Sequence, residues 1–195
     1  MKGNRSAKIE RKTSETSVVL ELDLDGNGRV EVNTGIGFFD HMLSLLAFHA
    51  AFDMRLEASG DLEVDQHHTV EDVGLALGNA INSALGDKKG VKRYGWAILP
   101  MDEALCMVAL DLSGRPYLAL HTPELGSEVA GYDTDTLREF LRALVNEGKL
   151  TLHVRVLSGD NPHHLLESIF KGIGRALREA VSREGMEIPS SKGSL

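Results

Sequence analysis

The residues of this sequence with the clearest chemical potential form one signature, His-His-x-x-Glu, which occurs twice. The two copies consist of His67, His68 and Glu71, and of His163, His164 and Glu167. On a helix, residues four positions apart share a face, so the first histidine and the glutamate of each copy can chelate one metal ion. The second histidine is rotated by about 100° and is available to another ion. The repetition therefore predicts two metal sites.

The two copies are separated by 96 residues in a chain of 195 residues, about half of its length. This spacing indicates an internal duplication in which the two repeats share the metals. By pseudosymmetry, one ion would take His163 and Glu167 together with His68 of the other repeat. The second ion would take the remaining members of the signatures, which are His67, Glu71 and His164.

Each ion needs a fourth protein ligand, and the predicted helix upstream of each signature offers one candidate. His41 would complete the first set and Glu139 the second. Imidazole and carboxylate ligands without sulfur suit a first-row divalent ion such as manganese, iron, cobalt or zinc. Three aspartates, Asp40, Asp65 and Asp72, are candidates for hydrogen bonds that orient the histidine rings; the alternative is that they are solvated surface carboxylates.

Hydrophobic periodicity predicts the elements that would carry these residues. Apolar residues at helical spacing predict helices over residues 70–85 and 165–181, directly after the two histidine pairs. Upstream, each half contains strands, a further helix, and a strand that ends in a Gly-Asp turn. A Gly/Asn turn at residues 25–28 also predicts a hairpin between the strands at residues 17–24 and 29–33.

The order of these elements repeats along the chain. We therefore predict an α+β fold built from two duplicated ββαβα half-domains, with sheets covered by helices on one side. The first repeat would span residues 1–90 and the second residues 91–187, within one compact domain. Residues 188–195 would form a polar C-terminal tail.

Composition limits the partners that the chain is expected to have. Hydrophobic residues make up 42% and charged residues 26% of the sequence, and the formal net charge of −8 argues against nucleic acid and against anionic membranes. The single cysteine, Cys106, excludes an intrachain disulfide and is expected to be buried, since it lies in an apolar run. No apolar stretch approaches the ~20 residues of a membrane span, and we expect a cytoplasmic protein.

Ordered motifs along nearly the whole chain resemble those of the imidazoleglycerol-phosphate dehydratase family. They are TGIGFFDHML at residues 34–43, DQHHTVED at 65–72, MDEAL at 101–105, DLSGRPY at 111–117, the second signature with residues 170–171, and IPSSKG at 188–193. The resemblance implies a fold of the ribosomal protein S5 domain 2-like kind and two Mn²⁺ ions per active site. It also implies a homo-oligomer of 24 subunits with active sites at subunit interfaces, so the repeats that share a site can belong to different chains.

One position departs from the family pattern. Where this chain has Glu139, the family usually has a histidine. A glutamate can ligate the hard ion Mn²⁺, but it would add a negative charge and lower the Lewis acidity of that ion. If Glu139 is not the ligand, His121 and His153 are the alternatives.

The resemblance also implies a reaction, the loss of water from imidazole glycerol phosphate to give imidazole acetol phosphate in histidine biosynthesis. Because no carbonyl group neighbours the carbon that loses its proton, an imidazolate ring held by two metals would have to expel hydroxide first. A carboxylate base would then take the proton, and the resemblance points to Glu15 for this role, with Glu71 and Glu167 as further catalytic carboxylates. For the phosphate, the resemblance implies six donors: Arg93, Arg115, Lys171, Ser190, Ser191 and Lys192.

Two other functions fit parts of the pattern. A metal-scaffolded oligomer without catalysis would need the two signatures but no phosphate donors, so Arg93, Arg115 and Lys192 could be neutralised without consequence. A di-metal hydrolase with a bridging water would instead turn over phosphate esters or amides.

Overall fold

The first half of the chain forms a four-stranded sheet with two helices on one face. A computed structural model describes residues 5–193 of the protein. In chain order the elements of this half are β1 (Ser6–Lys12), β2 (Thr16–Asp23), β3 (Val30–Asn33), α1 (Gly37–Ala50), β4 (Asp53–Gly60) and α2 (His67–Leu85). The strand order is β1-β2-β4-β3, antiparallel except for the parallel pair β3 and β4.

The second half repeats this arrangement. Its elements are β5 (Tyr94–Met101), β6 (Ala104–Asp111), β7 (Tyr117–His121), β8 (Glu128–Val129), β9 (Tyr132–Asp133), α3 (Thr136–Gly148), β10 (Thr151–Ser158) and α4 (Pro162–Ala180). The sheet order is β5-β6-β10-β7, with the same pattern of antiparallel and parallel pairs. The predicted α+β fold of duplicated halves is confirmed. Each half has a third strand before its first helix, β3 or β7, and the β8–β9 hairpin is an addition to the second half.

The predicted hairpin between β2 and β3 is wrong. β4 lies between these strands, antiparallel to β2 and parallel to β3. The first residue of β4 also holds the turn, because Asp53 Oδ1 accepts hydrogen bonds from the backbone N–H of Asn27 at 2.7 Å and of Arg29 at 3.0 Å. As a central strand, β4 pairs its backbone groups on both sides. The backbone hydrogen bonds of β4 with both strands therefore outweigh the local preference of the turn sequence for a hairpin.

The four helices pack on the sheets of their own halves and on one another. α2 packs on β1 and β2, α4 packs on β5 and β6, and the helices cross in two pairs, α1 with α4 and α2 with α3. A glycine allows close approach at each crossing: a Cβ on Gly78 would collide with the carbonyl oxygen of Leu144, and a Cβ on Gly174 with that of Leu46. The two glycines are 96 residues apart, like the two signatures. The same crossing is therefore built twice.

Apolar side chains from the helices and from alternate strand positions fill the space between the layers. Cys106 belongs to this core in β6, as expected, and burial raises the pKa of its thiol to about 12. Within residues 5–193, no helix is long and apolar enough to cross a membrane.

The outer faces of the two sheets differ in character. The first sheet exposes a cross-strand row of alternating charges, formed by Lys8, Glu21, Arg55 and Glu31. The second sheet exposes three large apolar side chains of β5: Tyr94 at 48%, Trp96 at 60% and Ile98 at 63% exposure. A patch of this kind is typical of a surface that contacts another molecule.

Candidate metal centre

Two imidazoles and one carboxylate converge where α1 crosses α4. The Nε2 atoms of His41 and His163 lie 3.2 Å and 3.1 Å from Oε1 of Glu167. One ligand atom from each of the three side chains lies within 4.8 Å of the others, and no other such group of three occurs in residues 5–193. We name this cluster of His41, His163 and Glu167 the α1–α4 centre.

The start of α4 fixes the direction of two members of this centre. Asn161 caps the helix, since its side chain accepts a hydrogen bond from the His163 N–H at 3.0 Å, and Pro162 occupies the first turn. The Phe38 ring contacts the His163 ring edge-on, with centroids 5.0 Å apart. Helix geometry then places Glu167 next to His163 on one face, as the spacing predicts.

Glu167 is the buried anion of the centre, with 8% of its surface exposed. Burial alone would raise the pKa of its carboxyl group, but hydrogen bonds with Lys171, His41 and His163 outweigh burial and lower the pKa to about 2. The carboxylate is therefore ionised at neutral pH, and its second oxygen accepts a hydrogen bond from the Lys171 ammonium. An ionised carboxylate beside two imidazole Nε2 atoms is a donor set that fits a first-row divalent ion.

At the equivalent crossing of α2 and α3, the candidate ligand side chains lie further apart. His67 Nε2 lies 3.7 Å from Oε2 of Glu71, four residues further along α2. Glu139, the counterpart of His41, instead accepts a hydrogen bond from Arg142 at 3.0 Å. Within residues 5–193 these side chains do not converge as those of the α1–α4 centre do. Their role as ligands of a second ion stays a prediction.

Both alternatives to Glu139 lie on the outer face of the second sheet. His153 is exposed on β10, and its ring packs against Tyr117 with centroids 5.7 Å apart. His121 is exposed at the end of β7, in register with Arg155 on the same face. Because the helices cover the opposite face of this sheet, neither histidine lies beside α2 of the same chain.

The second histidine of each signature is held at Nδ1 by a carboxylate. The Nδ1 atom of His68 lies 3.1 Å from Asp61 and 3.8 Å from Glu15. The Nδ1 atom of His164 lies 2.8 Å from Glu103. These hydrogen bonds, to Asp61 and to Glu103, raise the pKa of the two histidines. Neither ring belongs to the α1–α4 centre, so a single chain does not assemble the predicted pairing across repeats.

Arg93 links the C-terminal tail to the second sheet. Its guanidinium donates two hydrogen bonds to Asp111, at 2.7 Å and 3.2 Å, and one to the carbonyl oxygen of Pro189 at 2.9 Å. The hydrogen bond with Asp111 raises the pKa of Arg93. Beyond Pro189 the chain turns, and the Ser190 hydroxyl accepts a hydrogen bond from the Lys192 N–H at 3.2 Å. Arg93 and the tail are thus brought together, with Ser191 exposed in the same turn.

The other candidate substrate residues lie elsewhere in the chain. The Lys171 ammonium contacts Met101 at the end of β5, whereas Arg93 precedes the first residue of that strand. Eight residues of strand place these ends roughly 23 Å apart. Arg115 is exposed before β7, and Glu15 is exposed in the turn between β1 and β2. One chain therefore does not gather all six predicted phosphate donors in one place.

Residues 34–177 match the sequence model of a family described as imidazoleglycerol-phosphate dehydratase. A relative with that name from Desulforamulus reducens is 56% identical over 194 residues, which cover 98% of this chain and 99% of the relative. The chain belongs to the imidazoleglycerol-phosphate dehydratase family. Another relative with that name, from Moorella thermoacetica, is 54% identical to this chain over 194 residues, with 98% of this chain and 99% of the relative covered.

Two solved structures of the dehydratase family share the fold. The crystal structure of the Pyrococcus furiosus protein in complex with (S)-C348 matches with a TM-score of 0.84 at 37% identity, over 96% of this chain and 100% of that chain. The structure from Staphylococcus aureus matches with a TM-score of 0.83 at 36% identity, over 92% of this chain and 99% of that chain. The likeness therefore extends over both halves of this dehydratase-family chain.

The carboxylates that contact Nδ1 of the histidine rings differ from the three aspartates named from the sequence. Asp40 bonds with Thr34, Asp65 with the backbone N–H of His67, and Asp72 with Thr16 and Arg11, so none of the three contacts an imidazole. Asp61 and Glu103 do so instead. The duplication could have identified Glu103 as a site residue, because Glu103 directly precedes β6 just as Glu15 directly precedes β2.

Proposed function

We propose that this chain dehydrates imidazole glycerol phosphate to imidazole acetol phosphate in histidine biosynthesis. The observation that carries the proposal is the 56% identity, over 98% of the chain, to a protein named imidazoleglycerol-phosphate dehydratase. The α1–α4 centre supports it, since two imidazoles and an ionised carboxylate suit the divalent ion that this chemistry needs.

The proposal includes two Mn²⁺ ions per active site. The α1–α4 centre would hold the first ion, joined by His68 of another subunit. The ligands of the second ion would be His67, Glu71, Glu139 and, from another subunit, His164. When bound, the ions would supply Lewis acidity toward the two ring nitrogens of the substrate.

Glu15 is proposed as the base that takes the carbon-bound proton. Its side chain is 52% exposed, and its carboxylate lies 3.8 Å from Nδ1 of His68. Within residues 5–193 its carboxylate makes no hydrogen bond. An exposed carboxylate that makes no hydrogen bond can approach a bound substrate and accept a proton at one of its oxygens.

Arg93 and the tail supply the basis for phosphate binding. A guanidinium has five N–H donors, and Arg93 uses three of them within the chain, so two remain for a phosphate. The adjoining turn adds the hydroxyls of Ser190 and Ser191 and the ammonium of Lys192. Arg115 and Lys171 would reach the same substrate from other positions in the assembly.

The active site is proposed to form between subunits of a homo-oligomer of 24 chains. Within one chain, His68 and His164 lie outside the α1–α4 centre, and Lys171 lies a strand length from Arg93. The apolar face of β5 offers a surface for such contacts. If ligands come from two chains, metal removal will also weaken the assembly.

The direct test incubates the full-length, Mn²⁺-loaded protein with imidazole glycerol phosphate and follows the loss of one water by mass spectrometry and NMR. We expect imidazole acetol phosphate, with activity abolished by a chelator and restored by Mn²⁺. No product from protein that holds metal and is assembled would overturn the proposal. Release of inorganic phosphate would instead identify a hydrolase.

A further inference from the structure

The hairpins at the start of the two halves carry a glutamate at the same position, but the two glutamates differ in their contacts with the nearby histidine. Glu15 directly precedes β2, and Glu103 directly precedes β6, the equivalent strand of the repeated sheet. We propose that Glu103 is a positioning residue for His164, and that Asp61 performs this task for His68 and so leaves Glu15 free for the substrate. The inference rests on the proposed function, because it assigns His164 to an ion.

Both carboxylate oxygens of Glu103 are engaged at the start of α4. Oε2 lies 2.8 Å from Nδ1 of His164, and Oε1 accepts a hydrogen bond from the Asn161 N–H at 3.2 Å. A carboxylate at Nδ1 keeps a proton on that nitrogen and turns Nε2 toward a metal ion. Glu103 is 38% and His164 28% exposed in their side chains, so water screens the charges. The contribution of Glu103 is therefore ring orientation rather than fold stability.

In the first half, Asp61 rather than the hairpin glutamate contacts Nδ1 of the second histidine. Both oxygens of Asp61 lie near Nδ1 of His68, at 3.2 Å and 3.1 Å, while Glu15 at 3.8 Å is beyond hydrogen-bond distance. The counterpart of Asp61 is Asp160, which follows Gly159 as Asp61 follows Gly60. Asp160 is exposed, and the structure gives it no hydrogen bond with His164 in the described chain.

Each half thus has a hairpin glutamate and a loop aspartate at equivalent positions, and each half bonds the second histidine of its signature to a different one of the two. Within residues 5–193, the member of each pair that makes no hydrogen bond with the histidine is the hairpin residue Glu15 in the first half and the loop residue Asp160 in the second. Replacing Glu15 and replacing Glu103 should therefore affect different properties of the protein. Replacing Glu15 removes the proposed base and should lower turnover. Replacing Glu103 removes the hydrogen bond that holds the His164 ring and should weaken metal binding.

The experiment measures Mn²⁺ binding to full-length Glu103→Ala, Glu103→Gln and Glu15→Gln, by calorimetry and by anomalous scattering from crystals at limiting Mn²⁺. In Glu103→Ala we expect the site that takes His164 to bind Mn²⁺ about 10- to 100-fold more weakly, with the α1–α4 centre unchanged. Glu103→Gln should bind more tightly than Glu103→Ala, since an amide oxygen still accepts a hydrogen bond from Nδ1. Glu15→Gln should keep both sites and lose turnover.

Two control variants separate positioning from a general effect on the helix start. Asp160→Asn should leave both Mn²⁺ affinities unchanged. Asn161→Ala removes the cap of α4 and should not reproduce the selective loss of one site. Equal weakening of both sites in Glu103→Ala, no weakening, or a wild-type chain without Mn²⁺ binding would overturn the inference. A wild-type chain that binds two ions but makes no product would overturn the proposed function alone.

Discussion

At the scale of single residues, the charge of Glu167 determines what the α1–α4 centre can hold. Glu167→Gln keeps the size of the side chain and removes its charge, so we expect Mn²⁺ binding at this centre to weaken by more than about 100-fold. The fold should persist, with a loss of about 1–3 kcal/mol because the Lys171 ammonium keeps only a neutral partner. Metal content by mass spectrometry and thermal unfolding measure the two effects.

The control for that substitution is Glu124→Gln, at an exposed position outside the centre. It removes the same charge from the chain and should change neither metal content nor melting temperature. Unchanged Mn²⁺ binding in Glu167→Gln would mean that the convergence with His41 and His163 is only a hydrogen-bond network.

The same scale shows which parts of the site were predictable. The contact between His163 and Glu167 follows from local helix geometry, so spacing alone predicted it. The contact between His164 and Glu103 joins residues 61 positions apart and depends on where a hairpin meets a helix start. Local sequence patterns do not reveal which hairpin packs against which helix start. The only indication was the equivalence of Glu103 and Glu15 in the two repeats.

At the scale of elements, the distance between α1 and α4 controls the geometry of the centre. A methyl group on Gly174 would collide with the backbone of Leu46 and Ala50, so Gly174→Ala must push the helices apart. We expect a cost of about 1–3 kcal/mol, or roughly 2–12 °C in melting temperature, together with weaker metal binding at the α1–α4 centre. Calorimetry of unfolding and of Mn²⁺ binding tests both.

Gly37→Ala provides the matched control for that crossing. Gly37 opens α1, and a Cβ there would meet nothing within 4 Å. Alanine at this position should stabilise the chain slightly, by up to about 1 kcal/mol, because it reduces the freedom of the unfolded state. Equal melting temperatures for Gly174→Ala and the wild type would show that the crossing relaxes without cost.

The elements also show where sequence patterns succeed and fail. The periodicity of α2 and α4 placed these helices correctly, although both begin a few residues earlier than expected, at His67 and Pro162. The predicted hairpin failed because a local turn signal does not reveal that β4 enters between β2 and β3. β8 and β9 were missed because two-residue strands are too short to show alternation.

At the scale of the whole molecule, the two sheets share one topology but differ in the polarity of their outer faces. The charged row on the first sheet is compatible with water, whereas β5 of the second sheet exposes Tyr94, Trp96 and Ile98. Aromatic side chains clustered in this way are typical of the energetic centre of an interface. Because the proposed active site also needs residues of a second subunit, we expect the second sheet, rather than the first, to lie at a contact between subunits.

Trp96→Glu tests that assignment, with Lys8→Glu as the matched control at the equivalent position of β1. If Trp96 is buried in an interface, a charge at this position should weaken subunit contacts by about 2 kcal/mol or more per interface, because the carboxylate loses its hydration and the aromatic contact area is lost. Analytical ultracentrifugation should then show smaller species and activity should fall with assembly, while circular dichroism stays native. Because we expect the charged face of the first sheet to stay in water, Lys8→Glu should leave the assembly intact. If both variants assemble like the wild type, the subunits meet through another surface, and the residues that complete the α1–α4 centre come from elsewhere.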